Sequence, residues 1–553
     1  MTYLLVLINE TGAAVVRRRR WLPLVPLALA GLGCSAWLGL NFDVRYGFGG
    51  LRAGPGSLYG DFQHRPLAFR AVTWLLDLGP SVLTPGARSG AAAEVIIRGE
   101  ALLLVTAACV LLWAGLRRYR PGRLPVLVAA GIWCAFALAP NWTFLEPDWA
   151  GALFAVAAAG AALLPRRAWV GTILAALLVL LCVATKLTTA PYAVIAGGVV
   201  WLLDRRRAYL VAGWSAGLVA VWLVLTWLFL PLEWQWMGDM AALAPNTPVN
   251  TPPGRLDWPG FAESAGNLLV VSPVVLVIPA ATAAVARSVA RPIVVVCAVV
   301  VAVVLTAVPV LAQGEYYLYQ WAALPVLAAG LGAAALAKAP AAVLVPALAG
   351  GVLSMFALTR SVDWRATHFP LLLTGCVLAA VLGSGFAFLP GFRAATPPAV
   401  VAAVVAFGAA NLPAASYSVT VGHAGDTNLS RYQATADMRG RFGQLRARLG
   451  PDLTMQYLAF GDVSYLLGYP TECRYPSPVW LQRSAALHYV RDFASYADNL
   501  SCLDSAEDYL LIDRSWFDLP GMAPVVSTRV DELYDCGQAI HVTDSIDVCP
   551  RRG

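Results

Sequence analysis

The sequence predicts an α-helical polytopic membrane protein with about thirteen spanning helices and a small extracytoplasmic α/β domain at its C-terminal end. Three observations predict it. Residues of the AVILMFWYC class make up 59% of the 553 positions and charged residues only 13%, against roughly 25% charged in a soluble domain. No core of this size hides that much apolar surface from water, so lipid must cover part of it. The arginines fall in short clusters between apolar runs. After Ser416 the spanning runs stop, and Asp, Arg, Tyr and Ser become frequent. The net charge of +7 is thus a topology signal and does not indicate nucleic acid.

The predicted spans are Trp21–Leu40, Ala92–Leu116, Leu124–Ala139, Trp149–Leu164, Trp169–Thr185, Leu187–Leu203, Ala208–Leu230, Leu268–Ala284, Pro292–Leu311, Trp321–Ala337, Ala342–Leu358, Pro370–Leu389 and Pro398–Ala415. Met1–Val16 is mildly apolar but holds Asn9 and Glu10, and no small-residue cleavage site follows Trp21–Leu40. The first helix therefore reads as uncleaved.

Arginine placement sets the orientation. Arg17–Arg20, Arg117, Arg118, Arg120 and Arg123, Arg166 and Arg167, Arg205–Arg207, Arg287 and Arg291, Lys338 and Arg393 occupy alternate, short loops. Such loops are cytoplasmic. The N-terminus is then inside, and an odd number of spans puts the C-terminus outside a plasma (inner) membrane. Residues 1–415 form the transmembrane domain, with a long first outer loop at 41–90, and 416–553 form the outer domain.

In that outer domain Gln433–Leu449 has helical periodicity, Leu453–Ala459 and Tyr509–Ile512 read as strands, and Asp462–Leu467 as a short helix. Six cysteines lie in apolar spans, while Cys473, Cys502, Cys536 and Cys549 lie in the tail. An even number outside the membrane points to two disulfides. Of three connectivities the sequential one, Cys473–Cys502 and Cys536–Cys549, is expected. Zinc is the alternative, but the spacings are not CxxC.

The residues able to carry chemistry concentrate in the outer loops. Asp43 lies just beyond the first helix, and Asp61, His64, Arg65 and Arg70 follow in the same loop. An acid there can act as a general base, and the cations can hold a lipid phosphate. The structural alternative is an interfacial Asp43–Arg45 pair, with HRPL a turn before an interfacial helix. Glu146 and Asp148, in NWTFLEPDW, can position a sugar hydroxyl or bind a divalent cation; Asp148 is equally a helix cap after Pro147. Lys186, one of only two lysines, can meet a phosphate as a point charge or simply snorkel at a helix end. Glu315 and Tyr316, with Tyr317, Tyr319 and Trp321, form an interfacial aromatic belt or line a sugar or lipid pocket. In the second span Glu94 and Arg98, one helical turn apart, can pair.

Together these features resemble the GT-C superfamily of membrane glycosyltransferases. FDVRYGFGGLRAGPGSLY resembles the Asp-x-x-Tyr…Gly…Leu-Tyr opening of polyprenyl-phosphate-mannose-dependent enzymes, and DFQHRPLAFR the Asp…His-Pro-Pro-Leu stretch of protein mannosyltransferases, with Arg65 replacing the first proline. EPDWAGALFA, TKLTTAPYAVIA and EYYLYQWAALP are similar to later loop–helix junctions of that superfamily, and FGDVSYLLGYPTECRYPSP to a tail segment that follows such membrane regions. The resemblance implies a polyprenyl-phosphate-linked sugar donor, a glycan, lipid or protein acceptor, and work done in the bilayer without a nucleotide. Asp43, or its rival Asp61, is the implied base; Lys186, Arg65, His64 and Arg70 are the implied phosphate ligands. The resemblance fixes no cofactor, and a divalent cation is a candidate. The other readings are a transporter or flippase of an envelope lipid and a non-catalytic envelope scaffold. Neither internal repeats nor broken helices near the midplane, which transporters use, are evident in the sequence.

Reporter fusions test the topology. Those after Arg120 and Arg206 are expected to report cytoplasm, and those after Gly60 and Ser430 the outside. A cytoplasmic tail overturns both the orientation and the disulfide expectation.

Overall fold

The computed structural model describes residues 24–55, 65–164, 168–243, 257–314, 316–337, 341–386, 405–415, 427–505 and 507–553. Two compact units divide the chain. One comprises Met1–Leu38, Ala101–Val219 and Asp257–Arg431, the other Gly39–Glu100, Ala220–Leu256 and Tyr432–Gly553.

The chain is embedded in a membrane through long apolar helices. Among the described residues, Ala91–Tyr119, Arg205–Phe229, Pro292–Gln313 and Leu318–Leu336 are long and apolar enough to cross one. Their outward faces carry Leu103, Val221, Trp227, Val300 and Val304, each more than half exposed, and lipid is the solvent that accepts such faces. Shorter apolar helices include Leu124–Ala137, Trp169–Thr185 and Phe369–Gly385. Pro147–Ala162, rich in alanine and glycine, is buried on nearly every side. Small side chains let helices approach closely where the hydrophobic effect no longer drives association.

The expected span Leu268–Ala284 is corrected. Its sequence is divided between a Trp258–Val271 helix and a Pro273–Arg287 segment, bent by 92° at the junction. Pro273 lacks the N–H that would continue the ladder, and Ser272 leaves helical geometry at φ −131°, ψ 64°. The expected span Trp21–Leu40 is seen as Leu24–Trp37, with residues 21–23 outside the described set. Most of Pro398–Ala415 also lies outside it.

The first loop is not extended. It contains helices at Phe42–Ala53 and Leu67–Leu83. Asn41, extended at φ −64°, ψ 153°, restarts the chain before the first, and Pro66 precedes the second. The second helix buries Phe69, Leu76 and Pro80 and leaves Trp74, Leu75, Val82 and Leu83 exposed, the apolar outer face of an interfacial helix. The expected loop Leu232–Asn267 likewise holds a helix at Pro231–Leu243.

The second unit contains one four-stranded sheet. Strands β1 (Met455–Leu458), β2 (Tyr509–Asp513), β3 (Ile540–His541) and β4 (Ile546–Pro550) run in the order β1-β2-β4-β3. β1 and β2 are parallel, with Met455 opposite Tyr509, and β4 is antiparallel to both β2 and β3. Leu458, Leu510 and Ile512 join Trp480, Val526 and Val530 in the core, and Trp236 and Leu243 of the Pro231–Leu243 helix are part of that same core. Helix Gly461–Leu467 packs on Phe42–Ala53 at glycine. A Cβ on Gly49 would lie 2.3 Å from the Gly461 carbonyl oxygen, and one on Gly461 would lie 2.2 Å from the Tyr46 ring.

Disulfides join Cys473 to Cys502 and Cys536 to Cys549, the sequential connectivity. Cys473, Cys502 and Cys549 lie in the sheet core. Replacing Cys473 and Cys502 together by serine is expected to lower the stability of this unit by about 2–4 kcal/mol, read by chemical unfolding of the purified chain. Non-reducing mass spectrometry is expected to find none of the four tail thiols alkylatable.

Candidate functional site

Within the second unit, Asp43 occupies the first turn of Phe42–Ala53, where the positive end of the helix dipole favours an anion. Arg65 approaches it, with Nη2 3.5 Å from Oδ1; the two side chains keep 17% and 21% of their surface exposed. The Arg65 guanidinium also lies 5.6 Å from the centre of the Tyr46 ring. Tyr46 stacks on Phe460 at 5.3 Å, Phe42 meets Phe460 edge-on at 5.4 Å, and Phe460 meets Trp516 at 5.8 Å. Burial raises the Tyr46 phenol well above its ordinary pKa, against the opposing charge of Arg65, so this ring is a neutral apolar face with a hydroxyl. A partly exposed acid and cation therefore sit beside aromatic faces drawn from the first loop and the tail.

The other arginines of this loop are committed to buried carboxylates. Arg45 binds Glu94 through Nε at 2.8 Å and Nη2 at 3.1 Å, and Arg439 binds the same carboxylate. Burial opposes the charge on Arg45, yet Glu94 outweighs it and holds the guanidinium above its ordinary pKa. Arg52 donates to Asp77 from Nε at 3.0 Å, and Arg88 meets the other Asp77 oxygen. Arg70, expected as a phosphate ligand, is 1% exposed and pairs with Glu233; its position is structural. The expected i, i+4 pair of Glu94 with Arg98 is corrected too. Glu94 is held by Arg45, Arg439 and the Leu40 N–H, while Arg98 donates to the Gly39 carbonyl.

Within the first unit, Lys186 Nζ donates to Asp148 Oδ2 at 2.7 Å and lies 5.1 Å from the Tyr319 ring centre. Asp148 is fully buried, while the Lys186 side chain is 18% exposed. The turn that carries Lys186 comes close to the Pro147–Ala162 helix because Gly151 has no side chain; a Cβ there would be 2.8 Å from Thr189. The expected Asp148 cap is corrected, since Glu146 holds the cap position and Asp148 follows Pro147 inside the helix. Glu146 is buried at 1% exposure. The Tyr316 hydroxyl accepts from the Asp257 backbone N–H at 3.2 Å, and Tyr319 and Trp321 are buried. Trp321 donates to Ser264 at 2.9 Å. A small pocket in this unit is lined by Phe136, Trp149, Leu318 and Trp321 among others.

Asp61, His64 and Glu315 lie outside the described residues. Among the described residues no three His, Cys, Asp or Glu side chains gather as a metal cage, and Asp148 is bonded to Lys186. The sequence reading missed Phe460 and Trp516. The motif segment FGDVSYLLGYP was the signal that could have found Phe460, since Phe460 immediately precedes its helix.

The fold is similar to that of ArnT from Cupriavidus metallidurans, one of several solved proteins that it matches. The apo structure matches with a TM-score of 0.55 at 14% identity, over 96% of this chain and 97% of that one. The structure bound to undecaprenyl phosphate matches with 0.53 at 14% identity, over 96% and 98%. The archaeal oligosaccharyltransferase AglB from Archaeoglobus fulgidus, in complex with an inhibitory peptide and a dolichol-phosphate, matches at 0.39 and 11% identity over 94% of this chain and 73% of that one. No family model and no curated protein matches the sequence.

Glu94→Gln is expected to destabilise the chain by about 3–5 kcal/mol, because it leaves buried guanidinium charge uncompensated. Thermal unfolding in detergent checks it, with exposed Arg529→Gln as a control expected to shift stability by less than about 1 kcal/mol.

Proposed function

We propose that this chain is a membrane glycosyltransferase that moves a sugar from a polyprenyl-phosphate donor to a hydroxyl of a cell-envelope acceptor on the outer side of the plasma membrane. The observation that carries this reading is the Asp43–Arg65 pair. It is partly exposed on both sides, whereas Glu94, Asp77 and Glu233 are buried among their arginines.

Asp43 takes the proton of the acceptor hydroxyl as the oxygen attacks the anomeric carbon. The bond from that carbon to the phosphate oxygen breaks, and its electron pair leaves with the polyprenyl phosphate. Arg65, beside Asp43, supplies positive charge for the departing phosphate. Lys186, in the other unit, is by itself suited to a phosphate, because an ammonium has three donors and Asp148 takes one. The Phe42, Tyr46 and Phe460 faces suit the apolar face of a sugar ring. The fold shared with ArnT, a protein solved with undecaprenyl phosphate, supports the choice of donor class.

The transporter reading gains one observation, the 92° break at Ser272–Pro273, because broken helices often form transport sites. Turnover separates the two. Purified chain incubated with radiolabelled polyprenyl-phosphate sugars and envelope acceptors is expected to form product, and Asp43→Asn to lose about 10²–10⁴-fold in rate with donor binding intact. Lys186→Met, combined with Asp148→Asn so that no buried carboxylate is stranded, is expected to weaken donor binding as well. Asp61→Asn is the control: if it abolishes turnover while Asp43→Asn does not, the base is Asp61. Transport of labelled lipid without product supports the transporter.

A further inference from the structure

Arg365 is a buried charge that the proposed reaction does not use. It sits on a short helix, Val362–Thr367, between the apolar helices Val345–Leu358 and Phe369–Phe386. The residue is 1% exposed, yet Nε, Nη1 and Nη2 all lack a hydrogen-bond partner among the described residues. Burial pushes the guanidinium down to about 10, so it stays charged at neutral pH. A desolvated guanidinium with no acceptor is among the least favourable arrangements a protein holds, and five donors in a planar fork match a phosphate.

The surroundings point to the kind of phosphate. Arg360 lies 4.5 Å over the Phe356 ring and 5.9 Å over Trp364, which in turn stacks on His368 at 4.3 Å. In the stretch from Arg360 to His368, Asp363 is the lone acid against two arginines and a histidine. The flanking helices turn Val352, Phe356, Leu371 and Leu378 outward, each at least 45% exposed. Cationic groups at the end of two apolar helix faces match an amphiphile with an anionic head and two chains. The helix that carries Arg365 has only six residues, so little backbone hydrogen bonding opposes its local opening.

We propose that Arg365, assisted by Arg360, binds the phosphate of an anionic bilayer phospholipid whose acyl chains lie on the Val345–Leu358 and Phe369–Phe386 faces. The site does not depend on the transfer reaction. It makes the stability of the protein a function of the anionic lipid around it.

The full chain in nanodiscs of phosphatidylglycerol is expected to unfold at a higher temperature than in nanodiscs of phosphatidylcholine. Arg365→Met is expected to abolish that difference and to retain roughly 10- to 100-fold less phosphatidylglycerol in native mass spectrometry. Arg365→Lys, which keeps the charge without the fork, is expected to fall between the two and carries the comparison if the methionine variant does not accumulate. An unliganded buried arginine predicts the reverse: Arg365→Met equally or more stable in both lipids, with wild-type lipid retention. That result overturns the proposal. So does stabilisation by inorganic phosphate alone in detergent, which identifies a free-anion site, or displacement of the phosphatidylglycerol by undecaprenyl phosphate, which assigns Arg365 to the donor.

Discussion

The second unit depends on the burial of Glu94. A carboxylate at 1% exposure is tolerable only if its charge is matched and its oxygens are bonded, and Glu94 meets that demand with partners from three stretches of chain. The Leu40 N–H comes from the entry to the first loop, Arg45 from the helix that carries Asp43, and Arg439 from the long Asn428–Leu449 helix. Arg439 also donates to the Ser89 carbonyl at 2.8 Å. One buried anion thus fixes the helix on which Asp43 sits relative to the tail. Asp43 lies two residues before Arg45, so its position is set by a residue that makes no claim on chemistry.

The same logic repeats along the loop. Asp77 gathers Arg52 and Arg88, and Arg52 lies 4.6 Å over the Tyr465 ring. Glu233 holds Arg70. Each carboxylate neutralises the cations that would otherwise compete for a phosphate. Among the described residues Asp43 is the partly exposed carboxylate of these pairs, with Arg65 beside it and Tyr46 and Phe460 alongside. The glycine crossing at Gly49 and Gly461 brings the tail close enough to supply an aromatic wall.

Much of this architecture is legible in the sequence because lipid imposes a simple rule: long apolar runs with arginine between them. The tail elements were equally plain. Gln433–Leu449, Asp462–Leu467 and Tyr509–Ile512 were read within a few residues of Asn428–Leu449, Gly461–Leu467 and Tyr509–Asp513. The first loop was less legible. Its glycines and aromatics mask the helix at Phe42–Ala53, because glycine disfavours helix by propensity and only the packing at Gly461 repays it. The break at Ser272–Pro273 was hidden because hydropathy sums across a proline without registering the lost N–H. Pairings over long separations, such as Arg45 with Arg439 about Glu94, leave no local pattern. For that reason Arg98 looked the better partner for Glu94, and Arg70 looked available.

Lys186 shows why residue type alone does not decide between structure and chemistry. A lysine at a helix end reads as snorkelling, and its bond to a fully buried Asp148 makes it a structural ion as well. Yet the two roles favour the same residue. An arginine at this position would satisfy Asp148 with a fork and leave its remaining donors fixed in one plane. An ammonium satisfies Asp148 with a single N–H and presents its other donors on a rotating head. The Tyr319 ring, 5.1 Å away, adds attraction without consuming a donor. The pair is nearly neutral as a whole, so the apolar surroundings tolerate it. In the proposed reaction, a phosphate reaching Lys186 meets a cation already held in place, and needs no side chain to be ordered when it binds.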